Sequence, residues 1–507
     1  MTSTATVSTA NDVKHVDVLI IGAGLSGIGA ARHLQRELPG KSFLILEQRA
    51  AIGGTWDLFR YPGVRSDSDM YTLGYNFKPW VSDQSIADGP SILAYVREAA
   101  SETGVDKHIR YNSKVVAADF SSETATWTVT IEDAETGETS EVTANFVYGN
   151  TGYYRYEDGY QPEFPGKDDF AGQWLHPQFW PEDLDYANKK VVIIGSGATA
   201  VTILPAMTDK AAHVTMLQRT PTYMITLPGK DPIALWLRKK LGEKRSYAIT
   251  RWKNATQTLA TYHLSRRWPK PMRKLFMWGV KIQLPEDYDV KTHFNPPYNP
   301  WDQRLCAIPD GDLFKAIKRG DASIVTDHIE RIEPQGIRLK SGGLLEADII
   351  IQATGLDLVA LGGIDYSVDG KPFDMSKAFA YRGLMLSDLP NLAFTVGYTN
   401  ASWTLKADLV AEFVCKTLKY MDKTGQNIVV PVQDDPTVEP RPLLDFPAGY
   451  VLRKIDEFPN NGSKMPWKLR MTYHGDYRDF KKADPDDGVL RFSTAVSSPA
   501  VAEPAAA

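Results

Sequence analysis

The 507-residue chain contains little cysteine, no long apolar run and no excess of basic residues. Its two cysteines, Cys306 and Cys415, lie far apart and form no CxxC pair, so neither a disulfide framework nor a dithiol redox centre is indicated. No stretch approaches the roughly 18 consecutive apolar residues of a membrane-spanning helix, and the N-terminus lacks the apolar segment of a signal peptide. The net charge of -5 argues against nucleic-acid binding, which usually involves a basic domain. These absences favour a cytoplasmic protein.

The composition is that of a folded globular chain, with 43% hydrophobic and 23% charged residues. Single cores stop growing at roughly 250 to 300 residues, so at least two domains are expected. Only the ends, residues 1–14 and 491–507, are small and polar or rich in alanine and proline. We predict that both ends are disordered tails.

One βαβ pattern occurs twice, about 170 residues apart. Each copy has an apolar strand, a glycine turn, a helix rich in small residues and a second strand. The pattern predicts an α/β fold with two Rossmann-like dinucleotide-binding domains, and a helical, proline-interrupted insertion follows the second copy. The predicted segments are 15–150 and 381–490 for the first domain, 151–223 and 322–380 for the second, and 224–321 for the insertion.

The first glycine turn has the spacing Gly22, Gly24 and Gly27, directly after a strand. Glycines allow the tight turn and let backbone N–H groups approach a pyrophosphate at the positive end of a helix. Glu47 lies twenty residues after Gly27 at a strand end, where a carboxylate accepts hydrogen bonds from ribose hydroxyls. This copy therefore predicts an unphosphorylated adenosine ribose, as in FAD or NAD.

The second turn has Gly195, Gly197 and Ala200, with Arg219 near the matching strand end. A guanidinium at that place favours a ribose 2'-phosphate and hence NADPH. The contrast between Glu47 and Arg219 assigns different nucleotides to the two sites. Together they suggest hydride transfer from NADPH to FAD.

The segment 170–181, FAGQWLHPQFWP, matches the FxGxxxHxxxWP fingerprint of Baeyer-Villiger monooxygenases in full. Gly53-Gly54-Thr55-Trp56 through to Asp67 and a late Ala353-Thr354-Gly355 also resemble that family. The runs RYPGVRSDSDMYTLG, YNPWDQRLC and GYTNASWTLKADLV are similar to its ethionamide-activating branch. The resemblance covers roughly residues 15 to 480.

The resemblance implies that reduced FAD and O2 form a C4a-peroxyflavin, which converts a ketone to an ester or lactone. Arg304 matches the family's active-site arginine, which stabilises developing negative charge, and Asp67 matches the carboxylate that positions it. The resemblance also implies cofactor contacts by Gly54, Thr55, Trp56, Asp67, Thr199, Thr220 and Trp467, and a substrate pocket at Trp403 and Thr404. His176 of the fingerprint is assigned to coupling of the domains. Gln303 stands where relatives commonly have a lysine that helps to bind the 2'-phosphate, which weakens the preference for NADPH.

The leading hypothesis is an FAD- and NADPH-dependent monooxygenase that converts linear or aryl ketones to esters, with sulfide or thioamide oxidation as side activities. Its partners are then O2 and a small molecule, with no metal. An S- or N-oxygenating flavin monooxygenase is an alternative, and an NADPH-flavin reductase or electron-transfer protein is another. Sequence leaves the natural substrate and the oligomeric state open.

The insertion is basic and rich in tryptophan. Residues 238–281 contain thirteen lysines and arginines and a single acidic residue, Glu243. Basic faces with aromatic anchors can lie on anionic membranes. A solvated helical lid with inward-packed tryptophans is the alternative. We therefore hypothesise peripheral membrane contact through residues 236–281.

Overall fold

The computed structural model describes residues 10–303, 305–444 and 449–495. Most of both predicted tails, residues 1–9 and 496–507, lies outside the described residues. Part of the remainder has regular structure, because a 3-10 turn spans Ala10–Asp12 and a strand ends at Ser493. The prediction of disorder was therefore wrong for residues 10–12 and 491–493.

Twenty-seven strands occur in the described residues. In chain order they are β1 His15–Ile21, β2 Phe43–Leu46, β3 Ile109–Arg110, β4 Ser113–Ser121, β5 Thr126–Asp133, β6 Thr139–Gly149, β7 Tyr154–Gly159, β8 Gln173–Leu175, β9 Lys190–Ile194, β10 His213–Gln218, β11 Met224–Leu227, β12 Cys306–Pro309, β13 Ala322–Thr326, β14 Ile329–Glu333, β15 Gly336–Leu339, β16 Leu344–Glu346, β17 Ile349–Gln352, β18 Leu356–Leu358, β19 Asp365–Val368, β20 Lys371–Pro372, β21 Ala380–Tyr381, β22 Met385–Leu386, β23 Leu392–Phe394, β24 Ile428–Pro431, β25 Pro440–Pro442, β26 Asn460–Gly462 and β27 Leu490–Ser493.

Thirteen α-helices connect them within the same described ranges. They are α1 Leu25–Glu37, α2 Thr55–Leu58, α3 Met70–Leu73, α4 Gly89–Thr103, α5 Ala198–Met207, α6 Pro232–Leu241, α7 Glu243–Arg267, α8 Pro269–Lys281, α9 Val290–His293, α10 Asp312–Arg319, α11 Trp403–Thr424, α12 Gly449–Leu452 and α13 Tyr473–Lys482. None of the described helices is both long enough and apolar enough to cross a bilayer.

The first domain is built on a nine-stranded sheet in the order β20-β19-β4-β5-β6-β1-β2-β3, with β23 also paired to β6. Strand β1 lies between β2 and β6 and is parallel to both. From Val18 onward its side chains alternate between two core clusters, with Val18 and Ile20 in one and Leu19 and Ile21 in the other. A strand buried on both faces explains the continuous apolar run before the first glycine turn.

The second domain is built on a five-stranded parallel sheet in the order β13-β10-β9-β17-β8. Strand β9 has the central place that β1 has in the first sheet, and its residues again alternate between two clusters. The predicted fold of two dinucleotide-binding α/β domains is confirmed.

Two short strands connect the domains. Strand β7 leads from the first sheet to the second, β18 leads back, and the two pair antiparallel. The chain returns to the first sheet at β19, which pairs with β4. The predicted end of the second domain at residue 380 was therefore too late. Helix α10, predicted as insertion, packs in the core of the second domain through Leu313 and Phe314.

Helices α6, α7 and α8 form the insertion. Helix α7 has 25 residues, and one side of it packs on the first domain, where the Tyr247 hydroxyl donates a hydrogen bond to the backbone carbonyl of Tyr75 at 3.0 Å. The insertion thus lies against the first domain as well as following the second.

Candidate active site

A central cavity of about 530 Å³ lies between the two domains. The first glycine turn contributes Gly22 and Gly24 to its wall, and the N-terminal end of α5, just after the second glycine turn, contributes Ala198 and Thr199. The first glycine turn and the helix that follows the second turn therefore border one cavity, whose size is typical of sites for small molecules and cofactors.

Gly22 and Gly54 form a cradle in the backbone that admits no side chain. A Cβ on Gly22, whose φ is +102°, would lie 2.5 Å from the carbonyl oxygen of Asn150. A Cβ on Gly54, whose φ is +56°, would lie 3.1 Å from the Cα of Gly24. Backbone N–H groups exposed by such a turn at the start of α1 can contact a pyrophosphate directly.

Gly27 supports this turn from behind. A Cβ at Gly27 would lie 1.9 Å from the carbonyl oxygen of Gly22, so the first turn of α1 can pack on the loop only without a side chain. Gly27 does not border the cavity itself. Its role is the close packing of helix on strand.

Glu47 follows β2 and borders the cavity while only 3% of it is exposed. Its Oε2 accepts a hydrogen bond from the backbone N–H of Ala23 at 2.7 Å, and Oε1 accepts one from Arg49 at 3.0 Å. Burial raises the pKa of the carboxyl group, and the two backbone hydrogen bonds oppose that shift. The carboxylate is held in place with lone pairs left to accept from ribose hydroxyls.

The middle of the cavity is lined by aromatic and polar side chains. Trp403 donates a hydrogen bond from Nε1 to Ser26 Oγ at 2.7 Å, and its ring centroid lies 5.0 Å from that of Tyr153. Burial raises the pKa of Tyr61 to about 12, so this hydroxyl stays protonated at neutral pH. Thr55, Trp56 and Asp67 also border the cavity.

The second glycine turn repeats the geometry of the first. A Cβ on Gly195, whose φ is +140°, would lie 2.2 Å from the carbonyl oxygen of Ala353, which follows β17 as Asn150 follows β6. Gly197 differs, because a Cβ there would have no atom within 4 Å. The space beside Gly197 is open for a ligand. Ala200, in the position of Gly27, is fully buried against the sheet.

The register of hydrogen bonds refines the comparison between Glu47 and Arg219. The N–H of Gly22 donates to the carbonyl of Leu46, and that of Gly195 donates to Leu217. Gln218, and not Arg219, therefore occupies the position of Glu47. Gln218 is neutral, so this position has no carboxylate that would repel a 2'-phosphate. The next residue in the chain, Arg219, is exposed. The adjacent Thr220 accepts a hydrogen bond at its carbonyl from Ser196 Oγ at 3.1 Å, which ties the loop to the glycine turn.

The fingerprint segment lies outside the central cavity and supports the connection between the domains. Gln178 Nε2 donates to the backbone carbonyls of Arg155 and Tyr156 in β7, at 2.9 and 3.0 Å. The ring of His176 packs so closely that a Cβ on Gly159 would lie 2.0 Å from its Cε1. Burial lowers the pKa of His176. This position agrees with a role in coupling the domains.

Two predicted site residues, Thr404 and Trp467, do not border the central cavity, and a third, Arg304, cannot be placed. Thr404 is buried in α11, where its hydroxyl donates to the carbonyl of Leu73 at 2.5 Å, and it does not border the cavity. Trp467 is 3% exposed and packs in the core of the first domain, with its ring 5.8 Å from that of Tyr381, so the structure does not place it at the second glycine turn. Arg304 lies outside the described residues. Ala307, in the strand β12 that follows, borders the cavity.

Sequence reasoning missed several residues of the cavity wall. Asn150, Thr151 and Tyr153 follow β6, which lies beside β1 in the sheet. The carboxyl ends of neighbouring parallel strands meet at one edge, where ligands bind. A strand ending in Gly149-Asn150-Thr151-Gly152 was therefore the signal that could have identified them.

Known flavin monooxygenases are similar to this chain in sequence and in fold. The family model described as flavin-binding monooxygenase-like matches residues 14–233. The FAD-containing monooxygenase EthA of Mycobacterium tuberculosis is 53% identical over 481 residues, covering 95% of this chain and 98% of EthA. The probable FAD-binding monooxygenase AlmA of Acinetobacter baylyi is 49% identical, covering 94% of this chain and 96% of its own. The crystal structure of OTEMO with FAD and NADP superposes with a TM-score of 0.69 at 25% identity, covering 82% of this chain and 86% of OTEMO.

Two glycine turns of the same geometry, with one cavity bordered by the first turn and by the helix after the second, define the class as enzymes with two dinucleotide-binding domains. Within that class, the chain belongs to the family of FAD-containing monooxygenases, as the identity with EthA over nearly the whole of both chains shows. The resemblance drawn from the sequence motifs is confirmed.

Proposed function

We propose that this protein uses FAD, NADPH and O2 to insert one oxygen atom into ketones, linear or aryl, and so produces esters. The observation that carries the proposal is the central cavity, which is bordered by the first glycine turn, by the start of the helix that follows the second turn, and by Asp67 of the active-site motif. The full fingerprint at residues 170–181 supports the Baeyer-Villiger class within the family. FAD would supply the redox chemistry with oxygen, and the protein would supply binding, orientation and charge.

The residues of the first turn fit the adenosine and pyrophosphate part of FAD. The cradle at Gly22 and Gly54 leaves no room for a Cβ, so a phosphate could approach the backbone N–H groups there directly. Glu47 then holds the ribose hydroxyls. The aromatic wall formed by Tyr153 and Trp403 lines the same cavity and fits a flat ring system.

The second turn fits the pyrophosphate of NADPH. The open space at Gly197 leads to the N-terminal end of α5, whose Thr199 borders the cavity. The dipole of α5 favours an anionic group there. Thr199 would direct a nucleotide held by this turn toward the central cavity, and NADPH would supply the hydride there.

Arg304 and Asp67 are the proposed catalytic pair. An arginine stays charged at every working pH and presents a planar set of donors to an oxyanion. Ionised Asp67 would hold that guanidinium at the cavity wall. In this scheme Arg304 stabilises the negative charge that develops when the ketone carbonyl is attacked.

The Arg304→Ala variant tests this assignment. It should bind FAD and be reduced by NADPH at close to the normal rate, yet form ester at least about 100-fold more slowly, since loss of one oxyanion donor costs that much. Arg266→Ala is the matched control, because Arg266 is 49% exposed and pairs with Asp302. Normal ester formation by Arg304→Ala would overturn the catalytic role.

Oxidation of sulfides or thioamides is proposed as a side activity of the same cavity. A soft sulfur atom attacks an electrophilic oxygen without needing the oxyanion stabilisation that a ketone requires. Arg304→Ala should therefore lose sulfoxide formation less than ester formation. Sulfoxide from the unmodified protein with no ester from any ketone would favour the alternative, an S-oxygenating monooxygenase.

We also propose peripheral contact with anionic membranes through residues 236–281. Ten of the fifteen exposed large apolar side chains in the described ranges lie between residues 233 and 282, and Trp268 and Trp278 are 54% and 60% exposed. A solvated lid would require the tryptophans to pack inward, but these tryptophans are exposed. Thirteen basic residues accompany them between 238 and 281. Exposed tryptophan with basic charge is typical of membrane-surface helices.

Vesicle sedimentation tests this contact. The protein should sediment with vesicles containing phosphatidylglycerol at low salt and much less at high salt, because screening weakens charge attraction. A Trp268→Ser, Trp278→Ser double variant should lose most of this binding. Leu452→Ser, at a residue 56% exposed outside the insertion, is the control. Absence of binding at low salt would disprove the proposal.

A further inference from the structure

A second cavity, here named the outer cavity, lies between α7, α11 and α13 and has a volume of about 480 Å³. Its aromatic side chains are Phe77, Tyr247, Trp252, Tyr473 and Tyr477. None of these five borders the central cavity. The outer cavity is therefore separate from the site of the oxygenation chemistry, and its volume is within the range of small-molecule sites.

The charged groups inside the outer cavity already have partners. Arg251 Nη2 donates to Asp408 Oδ2 at 2.8 Å, and the other oxygen of Asp408 lies 3.3 Å from His33 Nε2. Arg251 Nη1 donates to the backbone carbonyls of Tyr71, Thr72 and Gly74. These paired groups form part of the lining, and the aromatic rings together with Pro79, Leu405 and Leu409 form the apolar part that is left for a ligand. Such a lining favours an apolar group.

The rim of the outer cavity carries one unbalanced positive charge. Lys481 pairs with Glu412 at 2.8 Å. Lys244, at the start of α7, is exposed, and among the described residues no ion-pair partner of its ammonium group is found. Trp252 lies at the mouth with 46% of its surface exposed. An apolar interior with a cation at its edge fits a chain that ends in a single negative charge.

We propose that the outer cavity binds a free fatty acid, with the acyl chain among the aromatic side chains and the carboxylate at Lys244. This binding is independent of the oxygenation reaction, since no group of the central cavity takes part in it. It is also independent of vesicles, since the ligand is a dissolved amphiphile.

Titration of the FAD-loaded protein with dodecanoate, below its micelle concentration, tests the site by calorimetry and by tryptophan fluorescence. Dodecanoate should bind at one site, and dodecanol should bind more weakly. Lys244→Glu should weaken dodecanoate binding about three- to tenfold, as expected for one exposed ion pair replaced by repulsion. The same variant should leave dodecanol binding unchanged.

Two further variants separate this site from all others. Ala248 is an exposed helix residue of the lining, so Ala248→Trp should fill the cavity without disturbing the fold, and binding of both ligands should be lost. Lys239→Glu changes an exposed charge on α6 outside the lining and should behave as the unmodified protein. FAD content verifies that each variant is folded. Unchanged dodecanoate affinity in Ala248→Trp, or equal effects of Lys244→Glu and Lys239→Glu, would overturn the proposal.

Discussion

Glu47 combines a buried carboxylate with a place in the cavity wall. Its two oxygens are fixed by backbone N–H groups, and burial raises its pKa. The free energy spent on holding an acidic group in this environment indicates that it has a function beyond folding. Binding of ribose hydroxyls is the function that its position at the end of β2 supports.

The Glu47→Gln variant should bind FAD about tenfold more weakly, because hydrogen bonds to a charged acceptor are replaced by weaker ones. The apoprotein should lose about 1 kcal/mol of stability, because the amide group of glutamine can accept only one of the two backbone N–H bonds that the carboxylate accepts. FAD affinity from fluorescence titration and the apoprotein Tm measure the two effects. A lower apoprotein Tm with unchanged FAD affinity would indicate a structural role instead.

Single residues of this kind could be predicted from the sequence where a local motif fixes them. Gly22, Gly195 and Glu47 lie within thirty residues of a strand and a helix start, so the pattern contains their geometry. Trp467 and Thr404 could not be placed in this way, because their surroundings depend on tertiary packing. The one-residue difference between Gln218 and Arg219 depends on strand register, which residue spacing does not determine.

At the scale of elements, the two glycines of the second turn should respond in opposite ways to alanine. Gly195→Ala places a Cβ against the carbonyl of Ala353 at a φ of +140°, and should destabilise the protein by about 2 kcal/mol or more. Gly197→Ala meets no atom within 4 Å and has an ordinary φ of -80°, so its Tm should be nearly unchanged. Its NADPH KM should nevertheless rise about tenfold, since the methyl group occupies the space of the pyrophosphate.

Thermal unfolding and steady-state kinetics distinguish these outcomes. FAD content should remain normal in Gly197→Ala, because the first turn is untouched. Equal losses of Tm in the two variants, or an unchanged NADPH KM in Gly197→Ala, would contradict the assignment of the second turn.

The fingerprint segment should make stability depend on pH. Burial lowers the pKa of His176 below 6.5, so as the pH falls below that value the unfolded chain takes up a proton that the folded protein does not. Stability should therefore decrease on acidification. His176→Gln should reduce this decrease by up to about 1.4 kcal/mol per pH unit, as measured by urea unfolding between pH 7 and 5.5.

His293 and His474 also have lowered pKa values, but both remain in the variant. The difference between the two proteins thus isolates His176. An identical pH dependence would show that this ring is not held neutral by its packing against Gly159.

The connections between elements were the least predictable part of the fold. The return of the chain to the first sheet at β19 depends on pairing with β4, some 250 residues earlier. The outer cavity likewise joins residues from α7, α11 and α13, none of which is close to the others in sequence. Contacts of this range leave no periodic pattern in a single chain.

At the scale of the whole molecule, the two domains and the insertion have separate tasks. Both domains border the central cavity, the first through its glycine turn and the second through the start of α5. The paired strands β7 and β18 hold the domains together, with Arg155 donating to Asp357 at 3.0 Å across the pair. The insertion carries most of the exposed apolar side chains and a strongly basic segment. A supply of water-poor substrates from a membrane surface would suit this arrangement.

The most direct test of the central claim is the fate of oxygen in a reaction with NADPH, 18O2 and an open-chain or aryl ketone, followed by mass spectrometry of the product. The account predicts an ester that contains one 18O atom and a matching consumption of NADPH. Oxidation of NADPH with hydrogen peroxide as the only product, for every ketone tried, would contradict it.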